Sequence, residues 1–183
     1  MAQQEHNIQS KIQNGAEEGL SIKYFEDKGR GMITTQSFLR GEFVVEYAGE
    51  LIDWKSAEKR EIELFEAVND ASGADATIAF DPQIGWYMYY FKHHERKYCV
   101  DATTESGKLG RLINHSCKEN LKARVINSHS IPHLVLFATR EIAAGQELTF
   151  DYGERRKGVI DNHPWLRDIV ILNNLLPIKD IQL

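Results

Sequence analysis

Several short stretches of this 183-residue chain carry side chains whose types and spacing could do chemistry. Asn114-His115-Ser116 follows the apolar pair Leu112-Ile113 within GRLINHSC, so two strongly polar side chains stand where the chain turns toward the interior. Buried polar groups need partners. An Asn side chain offers an amide donor and a carbonyl acceptor together, which suits the ammonium of a zwitterionic ligand and a backbone strut equally well. Phe150-Asp151-Tyr152-Gly153 ends an apolar run at a glycine turn. There a tyrosine hydroxyl can project from a rigid strand into a cleft, or rest half-buried in the core. Lys28-Gly29-Arg30-Gly31 has the look of a glycine-rich ligand loop, yet it lacks phosphate-loop spacing and a strand-to-helix setting. An ordinary turn between strands explains it at least as well.

The aromatic run Trp86, Tyr87, Tyr89, Tyr90 and Phe91 alternates faces if extended, with Tyr87 and Tyr89 on one side and Trp86 and Tyr90 on the other. One side belongs to the core. The other, with Tyr47, could line a narrow channel for an aliphatic side chain with a cationic tip. His93, His94 and Cys99 find no second cluster to complete a metal site, and no metal is expected. Ser116 and His115 are adjacent, and neighbours on an extended segment point apart, which argues against a nucleophilic triad.

These residues need strands to hold them. Apolar runs at 43–47, 86–91, 98–100, 133–138 and 148–150 alternate with glycine-containing turns and read as strands, so the domain is expected to be mainly β with short helices, an α+β class. One helix is predicted after Asp53 as N-cap, with Trp54, Ala57, Leu64, Phe65 and Val68 roughly on one side. Residues 69–82, NDASGADATIAFDP, read as a surface excursion. Pro164 and Pro177 bracket a second predicted helix, 163–176, with Trp165 on its apolar face. Residues 1–20 are largely polar, with Ile8 and Ile12 as the only helical apolar pair, and read as a weak helical flank outside the core. The expected division is a flank at 1–20, one main domain at 21–157 and a C-terminal flanking helix at 158–183.

Composition narrows the partners. A formal charge of -5 argues against autonomous nucleic-acid binding and fits a cationic partner. Two cysteines, Cys99 and Cys117, make neither a disulfide framework nor a four-ligand zinc site. Without an apolar signal core or a membrane-length apolar run, the chain is expected to be soluble and intracellular.

In order along the chain, KGRG, FVVEYAGELI, YMYYF, YCVDAT, GRLINHSC and HLVLFATREIAAGQELTFDYG resemble the SET-domain lysine methyltransferases, over about residues 20–156. YMYYF, YCVDAT, GRLINHS, REIAAGQEL and HPWL are most similar to the histone H4 lysine monomethyltransferases, which also lack flanking zinc cysteines. The resemblance implies a β-clip of small sheets in which a C-terminal segment threads a loop, an exception to the rule against threaded chains. It implies S-adenosyl-L-methionine as cofactor, contacted by Lys28, Gly29, Arg30, Tyr87, Asn114 and His115, with Trp165 over the adenine. It also implies that Tyr152 faces the transferring methyl, with Tyr47 and Phe150 lining the lysine channel.

The implied substrate is the histone H4 tail, at the lysine after Arg-His-Arg, in the nucleus and on the chromosome, with the nucleosome a further candidate partner and the enzyme a monomer. Another basic or non-histone protein, or a catalytically weak lysine-peptide-binding module, remains the alternative. Phe150 departs from the tyrosine of that subfamily, which leaves the number of methyl groups open. The first 30 residues carry four Lys/Arg against five Asp/Glu, which does not make a basic docking arm. The 69–82 excursion and the tail beyond Trp165 are longer than the subfamily usually has.

Overall fold

The computed structural model describes residues 2–26, 28–71 and 87–153. Within them run helix α1 (Ala2–Gln13), strands β1 (Leu20–Phe25), β2 (Gly29–Thr34), β3 (Phe43–Glu46) and β4 (Glu50–Asp53), and helix α2 (Trp54–Ala71). Strands β5 (Met88–His93), β6 (Arg96–Asp101), β7 (Asn114–His115), β8 (Leu121–Ser128), β9 (Ile131–Ala138) and β10 (Glu147–Phe150) follow, with a 3-10 turn at Gly110–Leu112 leading into β7. The mainly β, α+β class is the one expected.

Seven strands form one sheet in the order β1-β2-β10-β8-β9-β3, with β7 pairing β10 off that path, and β4-β6-β5 form a second. The last strand is thus inserted among earlier ones. β10 lies antiparallel to β2 and parallel to both β7 and β8. Such crossed pairing fits the threaded arrangement, whose continuation past Gly153 lies outside the described residues. Met32, Val45, Leu112, Ile113, Leu121, Leu136, Leu148 and Phe150 share the main buried cluster. That core sits directly behind the β7 and β10 ends.

Turn chemistry explains strands that periodicity missed. β8 and β9 pair from Leu121↔Ala138 to Ser128↔Ile131, closed by His129 and Ser130 at φ 50° and 65°. Two left-handed residues match the twist of a two-residue hairpin, but glycine or asparagine usually marks them, and here neither does. β1 escaped notice because its face is open: Ile22 is 50% and Tyr24 74% exposed.

Asp53 caps α2 as predicted, its Oδ1 accepting from the backbone N–H of Lys55 and Ser56 at 3.0 and 3.1 Å. Ala57 then packs against Met88 and Cys99. The helix continues to Ala71, three residues into the stretch read as an excursion. The rest of that stretch, Trp86 and the predicted helix at 163–176 lie outside the described residues, as do the side chains of Phe65 and Val68.

The N-terminal expectation is corrected. α1 is docked, and Ile12, only 6% exposed, joins Phe43, Val135 and Phe137 in a second core cluster with Ile8 and Ala16 against it. One apolar pair makes a poor isolated helix, but the sheet face supplies the tertiary contact that propensity lacks. Lys11 adds its ammonium over the Phe43 ring at 5.3 Å.

Candidate active site

The site is built where β7 and β10 run side by side. Thr149 pairs with Asn114 and Phe150 with His115, which brings the NHS segment to the strand end that carries Tyr152. The Tyr152 backbone N–H points at His115 Nδ1 at 3.2 Å, tying the NHS segment to the FDYG turn. The opposite nitrogen, Nε2, faces Cys117 Sγ at 3.5 Å. The Tyr152 hydroxyl donates to the Ile113 carbonyl at 2.8 Å, which leaves its oxygen lone pairs as acceptors. Burial pushes the Tyr152 phenol above its ordinary range, with Tyr87 and Glu147 adding to the shift. It is therefore a neutral, fixed hydroxyl at physiological pH.

Around it stands a wall of rings. Phe150 lies 4.8 Å from Tyr152, 5.8 Å from Tyr47 and 5.9 Å from Tyr89, centroid to centroid, and Tyr47 lies 6.1 Å from Tyr89. Burial, then the neighbouring Tyr152, raises the Tyr47 phenol as well. Strand alternation holds as read: Tyr89 faces Phe150, while Tyr90 turns to the other side and meets Trp54 at 4.6 Å. Tyr89 belongs to the wall, and with it the Tyr87/Tyr89 side of the aromatic run is the side that joins Tyr47.

The polar residues gather on the β2 side. Glu147, at the start of β10, accepts from Lys28 Nζ at 3.0 Å and from Asn114 Nδ2 at 3.1 Å. The amide is thereby oriented, and its carbonyl oxygen is left as an acceptor. Gly29 takes φ 70°, which an L side chain adopts only with strain. Gly31 is needed for a different reason, since a Cβ there would fall on Asn114 Nδ2 and within 2.7 Å of the Phe25 ring. The motif KGRG is thus a hairpin turn and a seat for Asn114 together. The reading as a turn between strands is the one the pairing of β1 and β2 bears out.

Arg30 and Tyr87 meet a second set of partners. Arg30 Nη1 lies 2.6 Å from Glu105 Oε1, and the Arg111 guanidinium covers the Tyr87 ring at 3.9 Å. Arg111 is buried, donating through Nε to the Ala102 carbonyl at 2.7 Å and through Nη2 to that of Thr103 at 3.2 Å. Its hydrogen bond from Arg30, then the Arg30 charge, holds the Glu105 carboxyl below its ordinary value. Glu147, Glu105 and Arg111 were not singled out from sequence, because charged residues in loops and at strand starts are usually solvated. Of the sequence-predicted residues, Lys28, Gly29, Arg30, Tyr47, Tyr87, Asn114, His115, Phe150 and Tyr152 fall within or beside these linked clusters. Trp165 lies outside the described residues.

A β-clip of this order, with an NHS strand beside an FDYG strand end, defines a class. The SET domain profile matches residues 29–153, and the chain belongs to the SET-domain family. Among its relatives, the N-lysine methyltransferase KMT5A of Xenopus tropicalis is 45% identical over 167 residues, 91% of this chain and 46% of that protein. The histone-lysine N-methyltransferase Set8 of Drosophila melanogaster is 45% identical over 149 residues, 81% of this chain and 20% of that protein. The crystal structure of CpSET8 from Cryptosporidium is similar at 34% identity and TM-score 0.65, covering 85% of this chain and 68% of that one. This chain spans about half the length, or less, of these curated relatives.

Proposed function

We propose that this chain is an S-adenosyl-L-methionine-dependent protein-lysine N-methyltransferase acting on the histone H4 tail, at the lysine after Arg-His-Arg. The observation that carries the reading is the junction at β7 and β10, where the Tyr152 hydroxyl closes an aromatic wall beside the Asn114–Glu147–Lys28 cluster. Similarity to KMT5A and Set8 proteins supports the same activity and a chromatin setting, hence work in the nucleus on chromosomes.

The donor set suits the cofactor. Its amino-acid ammonium would be held by the Asn114 carbonyl and the Glu147 carboxylate and its carboxylate by Lys28 and Arg30, with the Tyr87 ring beside them. When bound, the group supplies a methyl carbon on a sulfonium. The rest is done by the chain. A free lysine has a pKa near ~10.4 and is almost wholly protonated at neutral pH. Desolvation among Tyr47, Tyr89 and Phe150 disfavours the ammonium and so favours the amine that can attack. Tyr152, kept neutral and pinned to Ile113, accepts from an amine N–H and aligns its lone pair.

Incubating the full chain with labelled S-adenosyl-L-methionine and H4 peptide, free histones or nucleosomes tests this reading. Label on H4 is the expected result. Label only on another basic protein would move the substrate, and peptide binding without any label would reduce the chain to a lysine-binding module.

A further inference from the structure

Arg111 is a cation with almost no access to water, its side chain 4% exposed. Nε and Nη2 are bonded to carbonyls, but Nη1 is buried with no hydrogen-bond partner. A buried charge needs an opposite charge nearby. The only carboxylate within 4 Å of it among the described residues is that of Glu105, at 3.8 Å. The same oxygen, Glu105 Oε1, accepts from Arg30 Nη1 at 2.6 Å. One carboxylate, on the loop between β6 and the 3-10 turn, is therefore shared by two guanidiniums. Arg30 stands in the KGRG turn, and Arg111 covers the Tyr87 ring.

We propose that Glu105 is a positioning residue for cofactor binding, holding Arg30 directly and the Tyr87 ring through Arg111. This rests on the assignment of Arg30 and Tyr87 to the cofactor side of the site. Glu105 is itself 58% exposed and stands 3.8 Å from the buried guanidinium, beyond hydrogen-bond reach, so solvent screens that pair and its loss costs the fold only modestly. Its removal loosens two cofactor-side groups and leaves Tyr152 in place. Because the Arg30 pair is exposed, its contribution is modest and is screened by salt.

The test compares Glu105→Gln, Glu105→Asp and Arg30→Ala with the wild-type chain. Calorimetry reads the dissociation constant of S-adenosyl-L-methionine, and kinetics on H4 peptide separate KM from kcat. Glu105→Gln is expected to raise both the dissociation constant and the cofactor KM about three- to fivefold at low salt. The kcat stays within about twofold of wild type, as expected for lost uniform binding, and the melting temperature falls by at most about 4 °C, because the carboxylate lost is an exposed one. The difference shrinks as salt shortens the Debye length, and Glu105→Asp, which keeps the charge, loses less than Glu105→Gln. Wild-type cofactor binding by Glu105→Gln beside weakened binding by Arg30→Ala overturns the positioning role alone. Unchanged binding by Arg30→Ala overturns the cofactor assignment of Arg30 and the proposal with it. A salt-independent loss accompanied by a fall in melting temperature well beyond about 4 °C marks Glu105 as structural and also overturns it.

Discussion

Tyr152 and Phe150 sit two residues apart at one strand end, and in the proposed reaction they divide the chemistry between them. Tyr152 spends its proton on the Ile113 carbonyl, so what it offers the site is an oriented oxygen. Tyr152→Phe removes that oxygen and is expected to lower methyl transfer about 10²-fold, in the range of losing one preorganised polar group in a shielded site. Cofactor affinity measured by calorimetry should be nearly unchanged, because Asn114 and Glu147 remain. Phe150 is buried among Tyr47, Tyr89 and Tyr152 and brings no hydroxyl to the wall. A tyrosine there would add a group able to hold a water and narrow the space around the lysine nitrogen, through a hydrogen bond worth about 0.5 to 1.5 kcal/mol. The wild type is therefore expected to proceed past the first methyl, and Phe150→Tyr to stop there. Mass spectrometry of the H4 peptide decides this, and strictly monomethyl product from the wild type would refute it. Both residues were legible from sequence as types in a motif, but that Tyr152 bonds Ile113 was not, because residue order carries no hydroxyl direction.

The β1–β2 hairpin turns a glycine-rich motif into an element. Gly29 makes the turn, and Gly31 lets Asn114 approach the strand. Gly31→Ala would press a methyl onto Asn114 and Phe25, an overpacking expected to cost about 1 to 3 kcal/mol in urea unfolding. Because Asn114 must shift, cofactor binding weakens as well, and a destabilised variant with full affinity would show that the amide seat is unimportant. At this scale the sequence was half legible. Periodicity found the strands with apolar cores and the Asp53 cap. It passed over β8, whose turn uses His129 and Ser130, and it left α1 outside the core because Ile12 finds its apolar partners only in Phe43, Val135 and Phe137.

Across the whole molecule, the two long-range events that make the site are the insertion of β10 between β2 and β8 and the approach of Tyr89 of β5 to its end. They bury several phenols together, and Tyr47, Tyr89 and Tyr152 are all raised above the ordinary tyrosine value, burial being the first cause in each. The folded state keeps these protons at a pH where the unfolded chain, with phenols near ~10, releases them. Stability from this source is full below about pH 10 and falls as pH rises toward the raised folded values. The melting temperature should show no tyrosine-linked change at neutral pH and decline above about pH 10, less steeply in Tyr47→Phe. An equal decline in that variant would refute the contribution. The motifs, their order and the residue types were determined by the sequence alone, since they depend on neighbours a few positions apart. Only the tertiary structure decided that Glu147 and Glu105 bind the cationic and amide groups of those motifs, because such pairs form between segments that the chain's path brings together and no local spacing records. The motif naming Asn114, His115 and Tyr152 was written in one dimension; their contact exists because β7 and β10 run parallel.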